Sequence, residues 1–158
     1  MGLEIERKFL VKDQSYRSLA YDRYKIIQGY IAQENGRSVR VRITDKEYVL
    51  TIKGPADCKG ISRFEWNNCI SLDDARELIN LCQGMLIEKT RFLVRSEEHI
   101  FEIDEFVNRN SGLVIAEVEL RSEQEAFNKP DFIGREVTGD HRYYNAYLAH
   151  TPFDKWIF

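Results

Sequence analysis

Polar and apolar residues alternate along most of the chain with a period of two, which is the pattern of β-strands buried on one face. Eight segments follow this pattern, at residues 3–11, 26–32, 38–44, 47–53, 62–71, 87–96, 99–106 and 113–121. The tight joins at Asp45-Lys46 and Glu97-Glu98 predict antiparallel hairpins. Eight strands joined by short turns favour a barrel or a strongly curved sheet.

Helical spacing of apolar residues occurs in the gaps between these strands. Four helices are predicted, over residues 13–20, 71–84, 122–127 and 140–149. Ser71 stands at the N-cap of the second, and Ser122 with Glu125 forms a capping-box pattern at the start of the third. Since no linker, low-complexity segment or repeat divides the chain, we expect one domain over residues 1–158, of the α+β class and mainly β.

The polar face of the predicted strands carries mostly charged residues. In chain order these are Glu4, Glu6, Lys8, Arg40, Arg42, Lys53, Arg63, Glu65, Lys89, Arg91, Glu102, Asp104, Glu117 and Glu119. Because successive side chains point to opposite faces of a sheet, each strand can present its charges to one common surface. A solvated outer face with weak ion pairs explains such a pattern in a single strand. Its repetition over six strands whose other faces carry Val, Ile, Leu, Phe and Trp favours a different arrangement.

That arrangement is a sheet closed on itself, with the charges inside and the helices packed against the apolar outside. Buried charges are tolerated when they are paired, hydrated or bound to a ligand, so the pattern predicts a hydrated polar tunnel. Arg and Lys side chains suit a polyphosphate, because they bind phosphate oxygens as a fork or as a point charge. Clustered carboxylates suit Mg²⁺ or Mn²⁺, which are hard cations that prefer oxygen ligands.

Composition excludes several other classes. Lys and Arg total 23 against 26 Asp and Glu, a net charge of −3, which argues against a nucleic-acid partner. No apolar run approaches the ~20 residues that span a bilayer, and the charged first residues do not form a signal peptide. Cys58, Cys69 and Cys82 are odd in number and lack CxxC spacing, so we expect reduced thiols in a cytoplasmic protein rather than a disulfide framework or zinc site.

The segment from Glu4 to Lys8 resembles the ExExK motif that opens the CYTH domain, the family of triphosphate tunnel metalloenzymes. The resemblance continues in family order through Gln28-Gly29-Tyr30, Val39-Arg40-Val41-Arg42, Thr51-Ile52-Lys53-Gly54, Arg63-x-Glu65, Glu88-Lys89-Thr90-Arg91, Phe101-Glu102-Ile103-Asp104, Ala116-Glu117-Val118-Glu119-Leu120, Glu136-Val137-Thr138 and Arg142-Tyr143-x-Asn145. It implies an eight-stranded antiparallel β-barrel tunnel with a charged interior and a C-terminal helix near one mouth.

The same resemblance implies roles for individual residues. Metal ligands would be Glu4, Glu6, Glu117 and Glu119, with Glu65 and Asp104 as further ligands, and the triphosphate would be bound by Lys8, Arg40, Arg42, Lys53, Arg63, Lys89 and Arg91. Lys8 and Tyr30 are the catalytic candidates. Tyr30 would accept a proton, although packing within its strand explains it equally well. Arg142, Tyr143 and Asn145 would be structural. Asn67 stands where the family pattern has a second acid after Glu65, which weakens one metal position.

The function expected from the sequence is divalent-metal-dependent hydrolysis of a small triphosphate, with inorganic tripolyphosphate as the first candidate. Adenylate cyclase or thiamine triphosphatase activity on the same fold is an alternative. A non-catalytic binder of polyphosphate or nucleotide is another, although a binder gains little from so many carboxylates. The exposed flanks of a barrel are compatible with a homodimer, but no residue pattern selects one.

Overall fold

The structure, a computed structural model, describes residues 2–158, and its strands form one antiparallel sheet. The strands are β1 (Gly2–Val11), β2 (Asp22–Glu34), β3 (Arg37–Ile43), β4 (Tyr48–Lys53), β5 (Ser62–Cys69), β6 (Gln83–Ser96), β7 (His99–Phe106), β8 (Val114–Glu119) and β9 (Ile133–Glu136). Their order is β5-β4-β3-β2-β6-β7-β8-β1-β9, and β1 also pairs with β5. This last pairing closes β1 to β8 into a barrel, so the predicted eight-stranded antiparallel barrel is confirmed.

The ninth strand was not predicted from the sequence. β9 is four residues long and pairs with the end of β1, opposite Phe9 and Val11. Gly134 lies in its middle, and a Cβ atom there would come within 3.1 Å of the carbonyl oxygen of Leu10. The short strand and its glycine give little alternation from which a strand can be recognised.

The helices are shorter than the sequence predicted. They are α1 (Tyr16–Leu19), α2 (Leu72–Ile79) and α3 (Asn145–Leu148), with 3₁₀ turns at Asn108–Asn110, His141–Tyr143 and Phe153–Lys155. Ser71 caps α2 as expected, because its Oγ accepts a hydrogen bond from the amide of Asp74 at 3.0 Å. α2 lies outside the barrel against β2, β3 and β4. None of the helices in residues 2–158 has the length and apolar character that crossing a bilayer demands.

The predicted helix over 122–127 is wrong. Glu125 does accept a hydrogen bond from the backbone amide of Arg121 at 2.7 Å, but residues 121–124 form a bend and a turn, and residues 125–130 have no regular secondary structure. The ring of Phe127 packs against Phe9 and Phe101, with centroids about 6 Å apart. The chain therefore follows the outer face of the sheet, where Phe127 covers apolar side chains.

Residue parity along β1 separates the inside of the barrel from the outside. Lys8 points inward and is almost completely buried. Arg7 points outward, where its Nε donates to Oε2 of Glu136 on β9 at 2.8 Å. Phe9, also outward, is buried in the apolar cluster that covers this side of the barrel. The alternation in the sequence thus predicted the correct face for each of these residues.

Candidate active site

A cavity of about 200 Å³ lies inside the barrel, and charged side chains line most of it. It is lined by Glu4, Glu6, Lys8, Tyr30, Ser38, Arg40, Arg42, Lys53, Arg63, Glu65, Lys89, Arg91, Glu102, Glu117, Glu119, Tyr144, Asn145 and Ala146. The lining includes all seven bases singled out in the sequence and five of the six predicted metal ligands. Asp104 is the predicted ligand that does not reach the cavity.

One side of the cavity is basic, and we call Arg40, Arg42, Lys89 and Arg91 the basic wall. These residues come from β3 and β6, the two strands that flank β2 in the sheet. In the β2–β3 register Gln28 lies opposite Arg42, and Tyr30 lies opposite Arg40. Residues directly opposite each other in a sheet share a face, so Gln28 and Tyr30 accompany the arginines into the barrel.

Asp104 holds two members of the basic wall from behind. Its carboxylate accepts from Nζ of Lys89 and from Nε of Arg91, each at 2.7 Å, and its side chain is 1% exposed. Burial opposes ionisation of Asp104, but the charges of Arg91 and Lys89 outweigh it and lower its pKa. Burial lowers the pKa of Lys89 to about 7, although Asp104 opposes this shift. With both carboxylate oxygens occupied by bases, Asp104 has the geometry of a residue that positions the basic wall.

Arg40 and Arg42 keep donors directed at the cavity. Nη2 of Arg40 donates to Oγ1 of Thr51 at 3.2 Å, but its buried Nε has no hydrogen-bond partner within residues 2–158. Burial, followed by the charges of Arg40 and Arg91, lowers the pKa of Arg42 to about 10. An unpartnered buried donor beside crowded positive charges is the environment that an anion stabilises.

The opposite side of the cavity is acidic, and we call Glu4, Glu6, Glu65, Glu102, Glu117 and Glu119 the acidic wall. They come from β1, β5, β7 and β8, and the register puts like charges face to face. Glu6 lies opposite Glu119, and Glu102 lies opposite Glu117. Like charges in directly opposed positions destabilise a sheet, so a positive partner must compensate.

Four bases supply part of that compensation, and one of them is Arg91, whose Nη1 donates to Oε2 of Glu102 at 2.8 Å. Nζ of Lys53 lies 2.8 Å from Oε2 of Glu4 and 3.1 Å from Oε2 of Glu65. Nζ of Lys8 lies 3.4 Å from Oε1 of Glu117, and Nε of Arg63 lies 4.0 Å from Oε2 of Glu4. Glu119, by contrast, has no ion-pair partner within 4 Å in the described chain.

The repulsion that remains between carboxylates of the acidic wall shifts the pKa values of several of them. Burial, followed by the charge of Glu6 and a hydrogen bond with Glu65, raises the pKa of Glu4 to about 9. Burial opposes ionisation of Glu65, but its hydrogen bonds and Lys53 outweigh it and lower its pKa. Burial and the charges of Glu102, Glu65 and Glu6 raise the pKa of Glu119. A carboxylate pair that holds a proton in this way is a place where a cation can replace the proton.

The donor chemistry of the acidic wall fits a hard divalent cation, because every donor is a carboxylate oxygen. Within residues 2–158, however, no three acidic, His or Cys side chains converge as a preformed metal-binding group. Lys53 lies between Glu4 and Glu65, while Glu117 contacts Lys8 and Glu102 contacts Arg91. The acidic wall therefore has the right ligand type, and its side chains must reorient to surround an ion.

Both ends of the cavity adjoin larger recesses. One, of about 580 Å³, shares Ser38, Arg63, Tyr144 and Ala146 with the cavity, and we call it the vestibule. Nζ of Lys8 and Cζ of Arg63 lie 4.9 and 5.4 Å from the ring centroid of Tyr144. The other recess, of about 350 Å³, shares Glu102 and Glu119 with the cavity. The charged interior thus adjoins one recess beside Arg63 and Tyr144 and another beside Glu102 and Glu119.

Several lining residues were not assigned to the site from the sequence. The sequence predicts a structural role for Asn145, yet its side chain reaches the cavity from the N-terminus of α3. Glu102 belongs to the charged face but was not among the predicted ligands. Nothing in the sequence indicates that Tyr144 belongs to the site, apart from its position next to Asn145. Asn67, which replaces an expected acid, lies outside the lining and donates to Oε1 of Glu65 at 2.7 Å.

Comparisons with known proteins extend over nearly the whole chain. The CYTH domain profile matches residues 2–145. An inorganic triphosphatase of Acetivibrio thermocellus is 46% identical over 155 residues, which cover 97% of each chain. An inorganic triphosphatase of Nitrosomonas europaea is 35% identical over 150 residues, covering 92% of this chain and 96% of that relative. A crystal structure of an inorganic triphosphatase superposes with a TM-score of 0.63 at 32% identity, covering 92% of this chain and 96% of that one.

Proposed function

The chain belongs to the CYTH domain family, and we propose that it is a divalent-metal-dependent triphosphatase that hydrolyses inorganic tripolyphosphate to pyrophosphate and phosphate. One observation carries the proposal, namely that seven bases and six carboxylates from different strands line one cavity inside the barrel. A polyanion and a cation are the two kinds of ligand that this set of charges needs. A small triphosphate with a divalent cation supplies both.

The bases would bind the phosphate oxygens and stabilise charge during the reaction. Phosphoryl transfer requires a protein mainly to position the groups and to stabilise charge spread over the phosphoryl oxygens. The unpartnered Nε of Arg40 and the fork of Arg42 are suited to oxygens that accept several hydrogen bonds, whereas Arg91, whose fork is bonded to Asp104 and Glu102, would contribute mainly its charge. Lys8 would act near the vestibule end, where Tyr144 and the carbonyl of Tyr143 limit its movement.

The acidic wall would hold the cation, with Mg²⁺ and Mn²⁺ as the candidates. Glu4, Glu6, Glu117 and Glu119 would be the main ligands, with Glu65 next to them. When bound, such an ion offsets negative charge on the phosphate oxygens and promotes attack by water. An all-carboxylate ligand set suits hard cations of this kind, whereas the His and Cys ligands common in zinc sites do not belong to the cavity lining formed by residues 2–158.

Tyr30 is the candidate proton acceptor in the reaction. Its ring is buried in an apolar cluster, and its hydroxyl oxygen lies 3.4 Å from Nε2 of Gln28 beside the cavity. Both the packing role and the proton role are compatible with this position. Tyr30→Phe separates them, because Phe keeps the packing and removes the hydroxyl. We expect turnover to fall by about tenfold or more at an unchanged melting temperature.

A second candidate function uses an esterified triphosphate, such as ATP or thiamine triphosphate. The vestibule favours it, because a recess of about 580 Å³ adjoins the cavity and Tyr144, Tyr147 and His141 line it. These rings offer stacking surfaces for an aromatic group. The charged side chains that line the cavity, however, are suited to phosphate and metal and not to an organic group, which is why tripolyphosphate is the first candidate.

Phosphate release by the purified protein tests these alternatives. Tripolyphosphate, ATP and thiamine triphosphate would be supplied in parallel with Mg²⁺, with Mn²⁺ and with a chelator. We expect rapid release from tripolyphosphate with either metal, equal amounts of phosphate and pyrophosphate, and no release with the chelator. Faster release from an ester would favour the second candidate. Tight tripolyphosphate binding without release from any substrate would indicate a non-catalytic binder.

A further inference from the structure

Gln28 is a fully buried polar side chain at the centre of a hydrogen-bond network behind the cavity. Its Oε1 accepts from Nε of Arg42 at 3.1 Å. Its Nε2 donates to Oδ1 of Asn145 at 3.1 Å and lies 3.4 Å from the hydroxyl oxygen of Tyr30. One amide group therefore contacts a base of the basic wall, the candidate proton acceptor and the C-terminal segment.

Asn145 continues this network to a second base. Its Oδ1 also accepts from Nζ of Lys89 at 2.9 Å, in addition to the hydrogen bond from Gln28. Lys89 is held on its other side by Asp104 at 2.7 Å. A continuous path of hydrogen bonds thus runs from Asp104 through Lys89, Asn145 and Gln28 to Arg42.

The chemistry of the amides suits the task of holding cations. Amide oxygens accept from Arg and Lys without adding a negative charge, so they orient a base and leave its charge available to an anion. Asp104 offsets one of the two charges of Lys89 and Arg91, and a second carboxylate in the place of the amide would offset the other. A fully buried amide is also costly unless its hydrogen bonds are made, which fixes the geometry of the partners.

We propose that Gln28 and Asn145 are positioning residues that hold Arg42 and Lys89 in the orientation that binds the triphosphate. The inference rests on the proposed function and extends it to two residues that do not belong to the charged set. It also gives the C-terminal segment a role in substrate binding, since Asn145 is the residue through which that segment contacts the basic wall.

Gln28→Met tests the proposal, because Met has a similar length and lacks the amide. We expect KM for tripolyphosphate to rise about tenfold, with a smaller change in kcat, since one hydrogen bond to a charged group is lost. Gln14→Met is the control. Gln14 is exposed in the turn before α1 and does not belong to the lining of the cavity or of the vestibule. We expect its KM to equal that of the wild type.

Asn145 provides a second pair of variants if Gln28→Met folds poorly. Asn145→Leu removes the acceptor for Gln28 and Lys89 and is expected to raise KM to a similar degree. Asn145→Asp keeps an acceptor oxygen in that place but adds a negative charge beside Lys89, so it is expected to raise KM at least as much as Asn145→Leu while keeping the wild-type melting temperature. A merely structural role predicts instead that Asn145→Asp, which preserves the hydrogen bonds, binds tripolyphosphate like the wild type.

A double-mutant cycle then tests whether Gln28 acts through Arg42. In the Arg42→Ala background, Gln28→Met is expected to raise KM by less than twofold, because its target is absent. A full tenfold effect in that background would overturn the proposal, as would a KM for Gln28→Met equal to that of Gln14→Met.

Calorimetric binding of tripolyphosphate to the same variants distinguishes this inference from the proposed function. If the wild type binds tripolyphosphate without hydrolysing it, the proposed function fails, and the loss of affinity in Gln28→Met still tests the positioning role. If the wild type binds and hydrolyses it while both glutamine variants bind like the wild type, the positioning role alone is wrong. If the wild type neither binds nor hydrolyses it, both fail.

Discussion

The basic and the acidic walls face each other across one cavity, yet they are held in opposite ways. Every member of the basic wall has a partner behind it, namely Asp104, Gln28, Asn145 or Thr51. The acidic wall has like charges in directly opposed register positions and relies on Lys8, Lys53, Arg63 and Arg91, which line the cavity themselves.

This difference separates a preorganised surface from one that needs a ligand. A base fixed by hydrogen bonds from behind can bind phosphate oxygens with little rearrangement. Carboxylates that repel each other at close range gain from any cation placed between them. Changes in the basic wall and its partners are thus expected to lower both the stability of the fold and the affinity for substrate. Changes in the acidic wall are expected to lower activity and to leave stability almost unaffected.

Asp104→Asn should produce the largest effect, and it should fall on stability. The change removes the buried negative partner of Lys89 and Arg91, and breaking a buried ion pair from one side costs about 3–5 kcal/mol. Urea denaturation measures the free energy of unfolding. Asp140→Asn is the control, because Asp140 pairs with Arg142 at 2.7 Å near the surface, where such pairs contribute about 0–1 kcal/mol. Equal losses in the two variants would contradict the account.

Glu119→Gln should reverse this balance between stability and activity. Glu119 faces Glu6 across the sheet, so removing its charge relieves repulsion and should leave the free energy of unfolding unchanged or higher. Turnover should fall by about 10²-fold or more, as for other single groups at electrostatic sites. Glu4→Gln should behave similarly. If both variants keep wild-type turnover, these carboxylates do not hold the cation.

Lys8→Ala and Arg7→Ala compare the inside of β1 with its outside. Lys8 lines the cavity, so its loss should reduce turnover by about 10²-fold. Arg7 pairs with Glu136 on the outer side, and its loss should leave kcat and KM close to those of the wild type. Initial rates with tripolyphosphate measure both. A similar loss of turnover in the two variants would show that the assignment of strand faces is wrong.

The ion pair between Arg7 and Glu136 on the outer side of the barrel gives the smallest predicted effect, which is a pH dependence of stability. The hydrogen bond from Arg7 lowers the pKa of Glu136, against the opposing effect of burial. A lowered pKa contributes stability above the ordinary pKa of Glu, and the contribution is lost as pH falls through the lowered value. The melting temperature of Arg7→Ala should therefore differ most from the wild type near pH 7. The difference should shrink toward pH 3, and a constant difference would contradict the assignment.

The barrel and its charged face could be predicted because each depends on a local repeat of two residues. The alternation fixes which side chains share a face, and so it separated Lys8 from Arg7 correctly. Helix lengths could not be obtained in this way. Residues 140–149, for example, contain helical spacing, but the structure divides them into a 3₁₀ turn and the four-residue α3.

Contacts between distant segments account for what the sequence did not indicate within the site. Asp104 has the type and spacing of a ligand, and its burial behind Lys89 follows only from the β6–β7 register. Asn145 is 117 residues from Gln28 along the chain, so no local pattern connects them. Gln28 itself was recognisable only once β2 was paired with β3, which brings it opposite Arg42.

The rate of phosphate release from tripolyphosphate, measured against Mg²⁺ concentration for the wild type and Glu119→Gln, tests the central claim most directly. If the acidic wall acts by holding a cation, the wild-type rate should rise from zero in chelator to a plateau. Glu119→Gln should need more metal and reach a lower plateau. A wild-type rate that is unaffected by chelator, or identical metal dependence in the two proteins, would contradict the account.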